Sequence, residues 1–559
     1  MVLFDDPAVA LPLVGVAAAT AIAYLGSRVY ARRRFYRDLP GPPHSMLWGH
    51  LKLIGDYTSR MPPGGFLQQA LTQMKHDYGL PDVFYLDMWP ILNGIICLTG
   101  ADAVAYPTTA NVWGQPDFLP SFYKDITGPT FIEINNGPFW KDLHQRMAPS
   151  LTPTAIKPYF PALVTAAVAL RDDLARHSGP DAAAIRFQDA IGRFPFQILS
   201  QVTLGPDGLS EDLYQEAMRL VELHARAQVP GALILPWKRR GHKRELGACV
   251  GKIHAEALRQ ARARFEELQA DKAAATSRFL DRMLLPRVQQ GLPLDAALEE
   301  MCVANITGLI IAGYGTTTDT TTYIWLLLQA HPEILEKLRA EHDRVFGKDL
   351  DTTVAKLLKD PGLLNSLPYT TAVIQETLRL FPIAFSVRQA PPELKSITIN
   401  NQEYPLLPDH IAGIISHAAH YNEEYFPEPA RFLPDRFLDE EALARQPRHA
   451  YRPFERGPRA CIGQALAMDE MKVQLLVLAR SFDMELQRDE TAFSRSTRGE
   501  RGAGGGEGSK PEEESPAPAF AHAADLERML GKHFFQVSAF TATPAGPVMM
   551  KIRPREKKE

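Results

Sequence analysis

The stretch Phe454-Glu-Arg-Gly457-Pro-Arg459-Ala-Cys461-Ile-Gly463 decides the fold, because its loop delivers one cysteine to the start of a predicted helix. The amide groups and the positive end of the helix dipole stabilise a thiolate there, and Arg459 adds a cation two residues before the sulfur. These neighbours predict that the pKa of the Cys461 thiol is lowered. Gly457 and Gly463 flank the sulfur, where a large flat group needs close approach of the backbone.

A thiolate in this setting is suited to ligating haem iron, to which it donates electron density that favours cleavage of the O–O bond. The other cysteines lack such surroundings and are expected to be buried core residues; they are Cys97, Cys249 and Cys302. The chain has four cysteines in 559 residues and no C-x-x-C pair, which argues against a disulfide framework and a structural zinc site.

The composition is that of an ordinary globular protein, with 45% hydrophobic and 23% charged residues. Lysine and arginine number 61 against 65 acidic residues, so the net charge is −4. This balance excludes a protein that binds nucleic acid through bulk positive charge.

Helical patterns dominate the middle of the chain, with short apolar stretches between them that are typical of strands. One predicted helix, Asp295–Ala330, has so apolar a centre that it is expected to be buried on all sides. The other predicted helices are Ala155–His177, Ala248–Gln269, Glu333–Phe346 and Ala372–Phe381, and the predicted strands include Val83–Leu86 and Ile95–Leu98.

The two ends of the chain differ from this middle part. Residues 1–27 contain the apolar run Ala8–Leu25, preceded by acids and followed by arginines, which predicts an uncleaved membrane anchor with the body in the cytosol. A cleaved signal peptide is the alternative, but it needs a basic front. Residues 28–45 are basic and rich in proline, and they predict a hinge. A catalytic domain is then expected over residues 46–488.

Residues 489–528 are rich in glycine, proline and glutamate, and they predict a disordered insertion because they cannot bury enough apolar surface. The glycines do not have the G-x-G-x-x-G spacing of a dinucleotide loop. Residues 529–559 return to strand-like sequence and are expected to complete the catalytic domain.

The cysteine loop, residues 454–463, resembles the F-x-x-G-x-R-x-C-x-G signature of the cytochrome P450 family of haem-thiolate monooxygenases, and all five fixed positions match. The resemblance implies a mainly α fold with small β-sheets and haem b between two helices. It also implies that Cys461 ligates the iron and that the other fixed positions surround the cofactor: Phe454, Gly457, Arg459 and Gly463.

A second motif of that family is Glu376-Thr-Leu-Arg379, whose charges share one helix face. Alone, such a pair is more often a solvated surface pair. The resemblance implies instead a buried cluster completed by Arg436 of the segment Pro434-Asp-Arg436-Phe437. Its role is structural, since losing one partner leaves an unpaired buried charge.

A third motif lies on the long apolar helix, as Ala312-Gly-Tyr-Gly-Thr-Thr317. Glycine and threonine weaken a helix locally, which predicts a kink and a groove for dioxygen. The resemblance implies catalytic roles for Gly313, Thr316 and Thr317, with the Thr316 hydroxyl helping to deliver protons. The family's usual acid is replaced by Gly315, so water or Asp319 is expected to substitute.

Haem propionates need cationic or hydrogen-bonding partners. Trp140-Lys-Asp-Leu-His144 resembles the family's W-x-x-x-R, and histidine at the last position predicts a weaker, pH-sensitive contact. Arg388 and Arg459 match further propionate partners. Four more arginines precede the cysteine and predict either a docking patch for an acidic electron donor or a solvated surface: Arg445, Arg448, Arg452 and Arg456.

The resemblance implies a monooxygenase that receives electrons from NADPH through a membrane-bound reductase and oxidises a lipophilic small molecule. Segments such as Leu143–Pro153 resemble fungal members of the family, many of which act in secondary metabolism, on polyketides or terpenoids. The resemblance also implies a location in the endoplasmic reticulum membrane. Two alternatives stay open: a haem-thiolate isomerase or dehydratase that uses a hydroperoxide, and a non-catalytic membrane haem-binding protein. Substrate choice is assigned to residues 105–131, 211–237 and 304–314, and the sequence names no substrate.

Overall fold

The computed structural model describes residues 7–206, 208–229, 231–274, 276, 278–487 and 520–555, without the side chains of residues 7–18, 21 and 22. The described chain is mainly helical, with short 3-10 segments between the helices. The α-helices are α1 (Pro7–Tyr36), α2 (Leu51–Thr58), α3 (Leu67–Tyr78), α4 (Ala101–Ala105), α5 (Leu119–Thr127), α6 (Gly137–Met147), α7 (Pro153–Ile156), α8 (Phe160–Arg176), α9 (Phe187–Leu204), α10 (Glu211–Gln228), α11 (Pro236–Ala270), α12 (Phe279–Gln289), α13 (Ala296–Ala330), α14 (Pro332–Phe346), α15 (Leu350–Lys359), α16 (Pro368–Leu380), α17 (Ser416–His420), α18 (Glu440–Arg445), α19 (Gln464–Ser481) and α20 (Ala524–Leu530).

Within the described residues, short strands form four small sheets. The strands are β1 (Val83–Leu86), β2 (Ile95–Leu98), β3 (Ile185–Arg186), β4 (Ser386–Gln389), β5 (Ser396–Ile399), β6 (Gln402–Pro405), β7 (Ile411–Ile414), β8 (Phe482–Leu486), β9 (Gln536–Ser538), β10 (Ala542–Pro544) and β11 (Met549–Pro554). The largest sheet has the order β1-β2-β7-β4, in which β2 and β7 are parallel and the other pairs antiparallel. The others are β3-β11-β8, β9-β10 and β5-β6. The expected fold class, mainly α with small β-sheets, is confirmed.

The helix α13 forms the centre of the core, as its apolar sequence predicted. Its 35 residues span about 52 Å at 1.5 Å per residue. The Asp295 carboxylate accepts a hydrogen bond from the Leu298 amide at 2.9 Å and so caps its start. It packs against α9, α11, α16 and α19, and it runs through the glycine and threonine positions as one unbroken α-helix.

The predicted hinge, residues 28–45, is wrong for residues 28–36, which are helical. The helix α1 continues to Tyr36, and its last two turns are fixed to the catalytic domain. The buried Arg33 binds Asp87 at 2.5 Å, and Arg32 binds Asp409 at 2.8 Å. These ion pairs hold the segment as helix because they supply the partners that its charges need.

The predicted anchor stays a prediction, since residues 1–6 and most side chains of its apolar run lie outside the description. Within the described residues, the helix that is long and apolar enough to cross a membrane is α13, the core helix.

The predicted disorder of residues 489–528 falls mostly outside the described residues, but it is wrong for residues 520–528. These form a 3-10 turn and the start of α20, because Phe520 and Leu526 are buried in the main core. The Phe520 amide also donates to Glu527 at 3.0 Å. The following residues form β9, β10 and β11, as expected of a segment that completes the domain.

Candidate active site

The cysteine loop is fixed by its own backbone. The Cys461 amide donates to the Phe454 carbonyl at 2.9 Å, and the Ala460 amide donates to the Gly457 carbonyl at 3.0 Å. The Phe454 ring is half-buried against the main core. Gly457 has φ +88°, and a Cβ on it would lie 2.2 Å from the Thr108 carbonyl oxygen. This position therefore requires glycine for both conformation and space.

We expect Gly457→Ala to destabilise the loop more than left-handed backbone strain alone does. Strain of this kind costs about 1–3 kcal/mol. Gly347 is a matched control, because its φ is +83° and a Cβ there meets nothing within 4 Å. Urea unfolding of Gly457→Ala and Gly347→Ala separates the two effects, and equal losses in both proteins would contradict the close contact at Thr108.

The Cys461 thiol lies at the start of α19 and is accessible, although protein surrounds it. Burial raises the pKa of this thiol, while hydrogen bonds from the Gly463 and Gln464 amides lower it. The predicted lowering is thus wrong in net direction, because burial outweighs the amides; the amides act as predicted. An accessible side chain within the protein interior indicates that the sulfur faces an internal cavity.

The glycine and threonine motif of α13 borders an internal space as well. Ala312 is exposed and Thr316 half-buried on a helix whose neighbouring turns are buried. The Thr316 hydroxyl donates to the Ala312 carbonyl at 2.7 Å, which keeps it along the accessible face.

Two residues of this motif do not face the cavity as expected. The Thr317 hydroxyl is buried and donates to Glu470 of α19 at 3.2 Å. A Cβ on Gly313 would lie 2.5 Å from Leu199, so this glycine allows α9 to pack closely on α13. The reason is helical geometry, since adjacent residues point to different sides of a helix.

The predicted propionate partners lie together at one end of the site. The Arg459 guanidinium lies 4.4 Å from the centre of the Trp140 ring and donates to the Asn135 carbonyl at 2.8 Å. The His144 ring lies 5.1 Å from that of Trp140. Burial and then the charge of Arg459 lower the pKa of His144.

Arg388 is buried at the same end and reaches residues that no motif marked. Its Nη1 donates to the Gln115 side chain at 3.4 Å, and Gln115 in turn hydrogen bonds to Glu133. Burial raises the pKa of Glu133, whereas Arg388 and Arg459 lower it. The charge of Glu133 also raises the pKa of the Cys461 thiol. A single polar residue in a short 3-10 segment carries no periodic signal, so no sequence pattern marks Glu133.

The charge cluster behind the site has the predicted members and is buried. Arg379 makes two bonds to Glu376, at 2.7 and 2.8 Å, and Arg436 binds the same carboxylate at 3.1 Å. The Arg379 guanidinium also donates to the carbonyls of His420 and Pro429. This cluster ties α16 to the segment that leads into the cysteine loop.

The three segments assigned to substrate choice meet above α13. Asn305 of α13 donates to the Thr130 carbonyl at 3.1 Å and accepts from the Ile132 amide at 3.0 Å. An apolar cluster joins the three segments to α11: Ile126, Leu220, Leu223, Cys249, Val250, Ile253 and Ile311. Aromatic rings lie beside this apolar cluster, with Tyr123 near Phe131 and Phe540.

These features can be compared with known proteins. The family model described as Cytochrome P450 matches residues 40–499, most of the chain. The chain belongs to the cytochrome P450 family. Among its relatives, Cytochrome P450 monooxygenase acrF of Aspergillus aculeatus is 27% identical over 533 residues, covering 89% of this chain and 99% of that protein. Cytochrome P450 monooxygenase ptmG of Penicillium ochrochloron is 28% identical and covers 84% of this chain and 86% of its own.

The fold of this cytochrome P450 agrees with a solved structure described as cytochrome P450DA heme domain. The TM-score is 0.68, with 93% of this chain and 97% of that chain covered at 20% identity. Family and relatives together make this cytochrome P450 a monooxygenase, with haem as its cofactor.

The residues of this cytochrome P450 fit haem at two points, its propionate and its iron. Arg459 Nη1 is buried without a hydrogen-bond partner among the described residues, which suits a propionate. The accessible Cys461 sulfur suits the iron. The Arg459 guanidinium and the Cys461 thiol lie on the same short loop.

The arginines before the cysteine do not form one surface patch. Arg452 is buried; it forms an ion pair with Glu455, and its Nη2 donates to Thr108 at 3.0 Å. Arg445 and Arg448 are exposed. Arg452 therefore does not belong to a docking patch on the surface, because it is buried and paired with Glu455.

Proposed function

We propose that this cytochrome P450 oxidises a lipophilic small molecule with electrons from NADPH, delivered by a flavoprotein reductase. The observation that carries the proposal is the Cys461 thiol at the start of α19, which is accessible although protein surrounds it. Bound haem supplies the activation of dioxygen and the insertion of one oxygen atom into the substrate.

The chain's own residues hold the cofactor and keep the site dry. With haem bound, Cys461 would ligate the iron, Arg459, Arg388 and Trp140 would hold the propionate end, and His144 would add a hydrogen bond there. Gly457 lets the cysteine loop pack against the Thr108 carbonyl and so positions Cys461. The apolar cluster above α13 excludes water, which strengthens electrostatic interactions in the site.

Thr316 holds a proton at its Oγ1 on the accessible face of α13. Its hydrogen bond to the Ala312 carbonyl keeps the hydroxyl oriented. We assign Thr316 the proton-donating role at this site. Thr317 and Gly313 support it by packing, since their contacts are with α19 and α9.

We infer the substrate class from the packing of the segments assigned to substrate choice. Buried isoleucine, leucine and aromatic side chains dominate these segments, and such surroundings favour an apolar ligand with few polar groups. We propose a secondary metabolite, a polyketide or terpenoid, as substrate, and the fungal origin of the named relatives agrees with this choice. We place the protein in the endoplasmic reticulum membrane through residues 1–27, with the catalytic domain in the cytosol.

Labelled dioxygen tests the proposal. The purified protein is first titrated with a library of lipophilic metabolites, and compounds that shift the haem spectrum are then incubated with reductase, NADPH and labelled dioxygen. We expect one labelled oxygen atom in the product, and none when the reductase is omitted. Conversion of a hydroperoxide without NADPH would favour the isomerase instead.

A further inference from the structure

The position of the family's usual acid on α13 is filled from another part of the chain. A Cβ on Gly315 would lie 3.6 Å from Thr541 Cγ2 and 3.9 Å from Thr541 Oγ1. Thr541 belongs to the hairpin of β9 and β10, near the end of the chain. A hydroxyl group thus lies beside the backbone of Gly315.

Thr541 in turn connects to a buried acid. Its hydroxyl donates to Asp319 Oδ2, and Asp319 lies one turn after Gly315 on the same side of α13. A second threonine, Thr543, acts on the same carboxyl and lowers its pKa. Burial raises the pKa of Asp319 to about 6, and the two hydroxyls lower it. Among the described residues, no cation contributes to this shift.

The Asp319 carboxyl therefore lies near two threonine hydroxyls, and each of them leads to a different part of the protein. Thr543 is half-buried, which gives the carboxyl a connection towards accessible surface. Thr541 is buried and reaches the backbone of Gly315, which is half-buried and precedes Thr316. A carboxyl between two hydroxyls, with a pKa near neutrality, can both accept and donate a proton.

We infer that Asp319, Thr541 and Thr543 form the proton relay that supplies the cavity beside Thr316. The Asp319 carboxyl gives its proton to Thr541 Oγ1, and Thr541 releases its own proton into the cavity. The Asp319 carboxylate regains a proton from water through Thr543. Oxidation of one substrate molecule consumes one dioxygen, two electrons from the reductase and two protons, and the relay supplies those protons. This inference rests on the proposed function.

Infrared spectroscopy of the full-length, haem-loaded protein tests the relay apart from turnover. Photolysis of carbon monoxide from the reduced protein changes the cavity, so a carboxyl group coupled to the cavity gives a difference band that shifts in D₂O. We expect this band to be absent in Asp319→Asn and displaced in Thr541→Val. A band unchanged in both variants would overturn the relay.

Kinetics with a matched pair of substitutions completes the test. With reductase and NADPH, we expect dioxygen consumption to fall by about tenfold or more in Asp319→Asn and Thr541→Val, because a positioned acid contributes at least that much. Thr541→Ser keeps the hydroxyl and is expected to recover at least part of the loss, whereas equal losses in Thr541→Ser and Thr541→Val would assign Thr541 a packing role.

The relay and the proposed function fail in different ways. All variants are first checked for the red-shifted carbon-monoxide band of a haem thiolate. Absence of that band from the wild-type protein would overturn the proposed function. Its presence in every variant, together with unchanged rates, would overturn the relay alone.

Discussion

Replacing Cys461 by serine is expected to abolish the red-shifted carbon-monoxide band of the reduced protein. The band depends on a thiolate bound to iron, and a serine hydroxyl does not supply one. The accessible position of Cys461 at the start of α19 makes it the sulfur that can reach the cofactor. Absorption spectra of the reduced, carbon-monoxide-bound proteins measure the effect.

Cys249→Ser is the matched control for this substitution. Cys249 is buried, and its thiol donates to the Glu216 carbonyl at 3.0 Å, a bond that serine can also make. We expect this protein to keep the band. A band that survives in Cys461→Ser would remove the basis of the ligand assignment.

Replacing Arg379 by methionine is expected to lower the free energy of unfolding by about 3–5 kcal/mol, because the Glu376 charge then stays buried without its main partner. Both side chains are fully buried in the structure. Urea unfolding and the haem content of the purified protein measure the loss. Arg436→Met removes the outer partner of the same carboxylate, and a smaller loss is expected there.

Arg259→Met provides the comparison on the surface. Arg259 follows Glu256 by three residues within α11, which is the same spacing and order as in the buried pair, but the arginine is 63% exposed. Exposed pairs contribute little to stability. If Arg379→Met were as stable as Arg259→Met, the cluster would have no structural role.

The sequence predicted the parts of this protein that local patterns encode. The apolar run of α13 and the cysteine loop keep their character in any context, because each depends on neighbours within a few residues. The Glu376, Arg379 and Arg436 cluster was found through resemblance alone. Its burial depends on carbonyls from residues 420–431, which no local pattern connects to α16.

Several of the incorrect predictions have one physical cause, which is contact between distant parts of the chain. The arginines after residue 27 predicted a hinge, but Asp87 and Asp409 form ion pairs with two of them and hold this part as helix. The Cys461 thiol was expected to have a lowered pKa until burial was included. Thr541 lies more than two hundred residues from Asp319, so their hydrogen bond has no sequence signature.

The ion pairs of Arg32 and Arg33 attach the end of α1 to the catalytic domain, and this attachment has a mechanical consequence. Tyr36 completes the attachment, since its hydroxyl lies 2.7 Å from the His410 ring nitrogen. A continuous helix held at one end by ion pairs acts as a lever, so a force on its free end would reach the catalytic domain through Arg32 and Arg33.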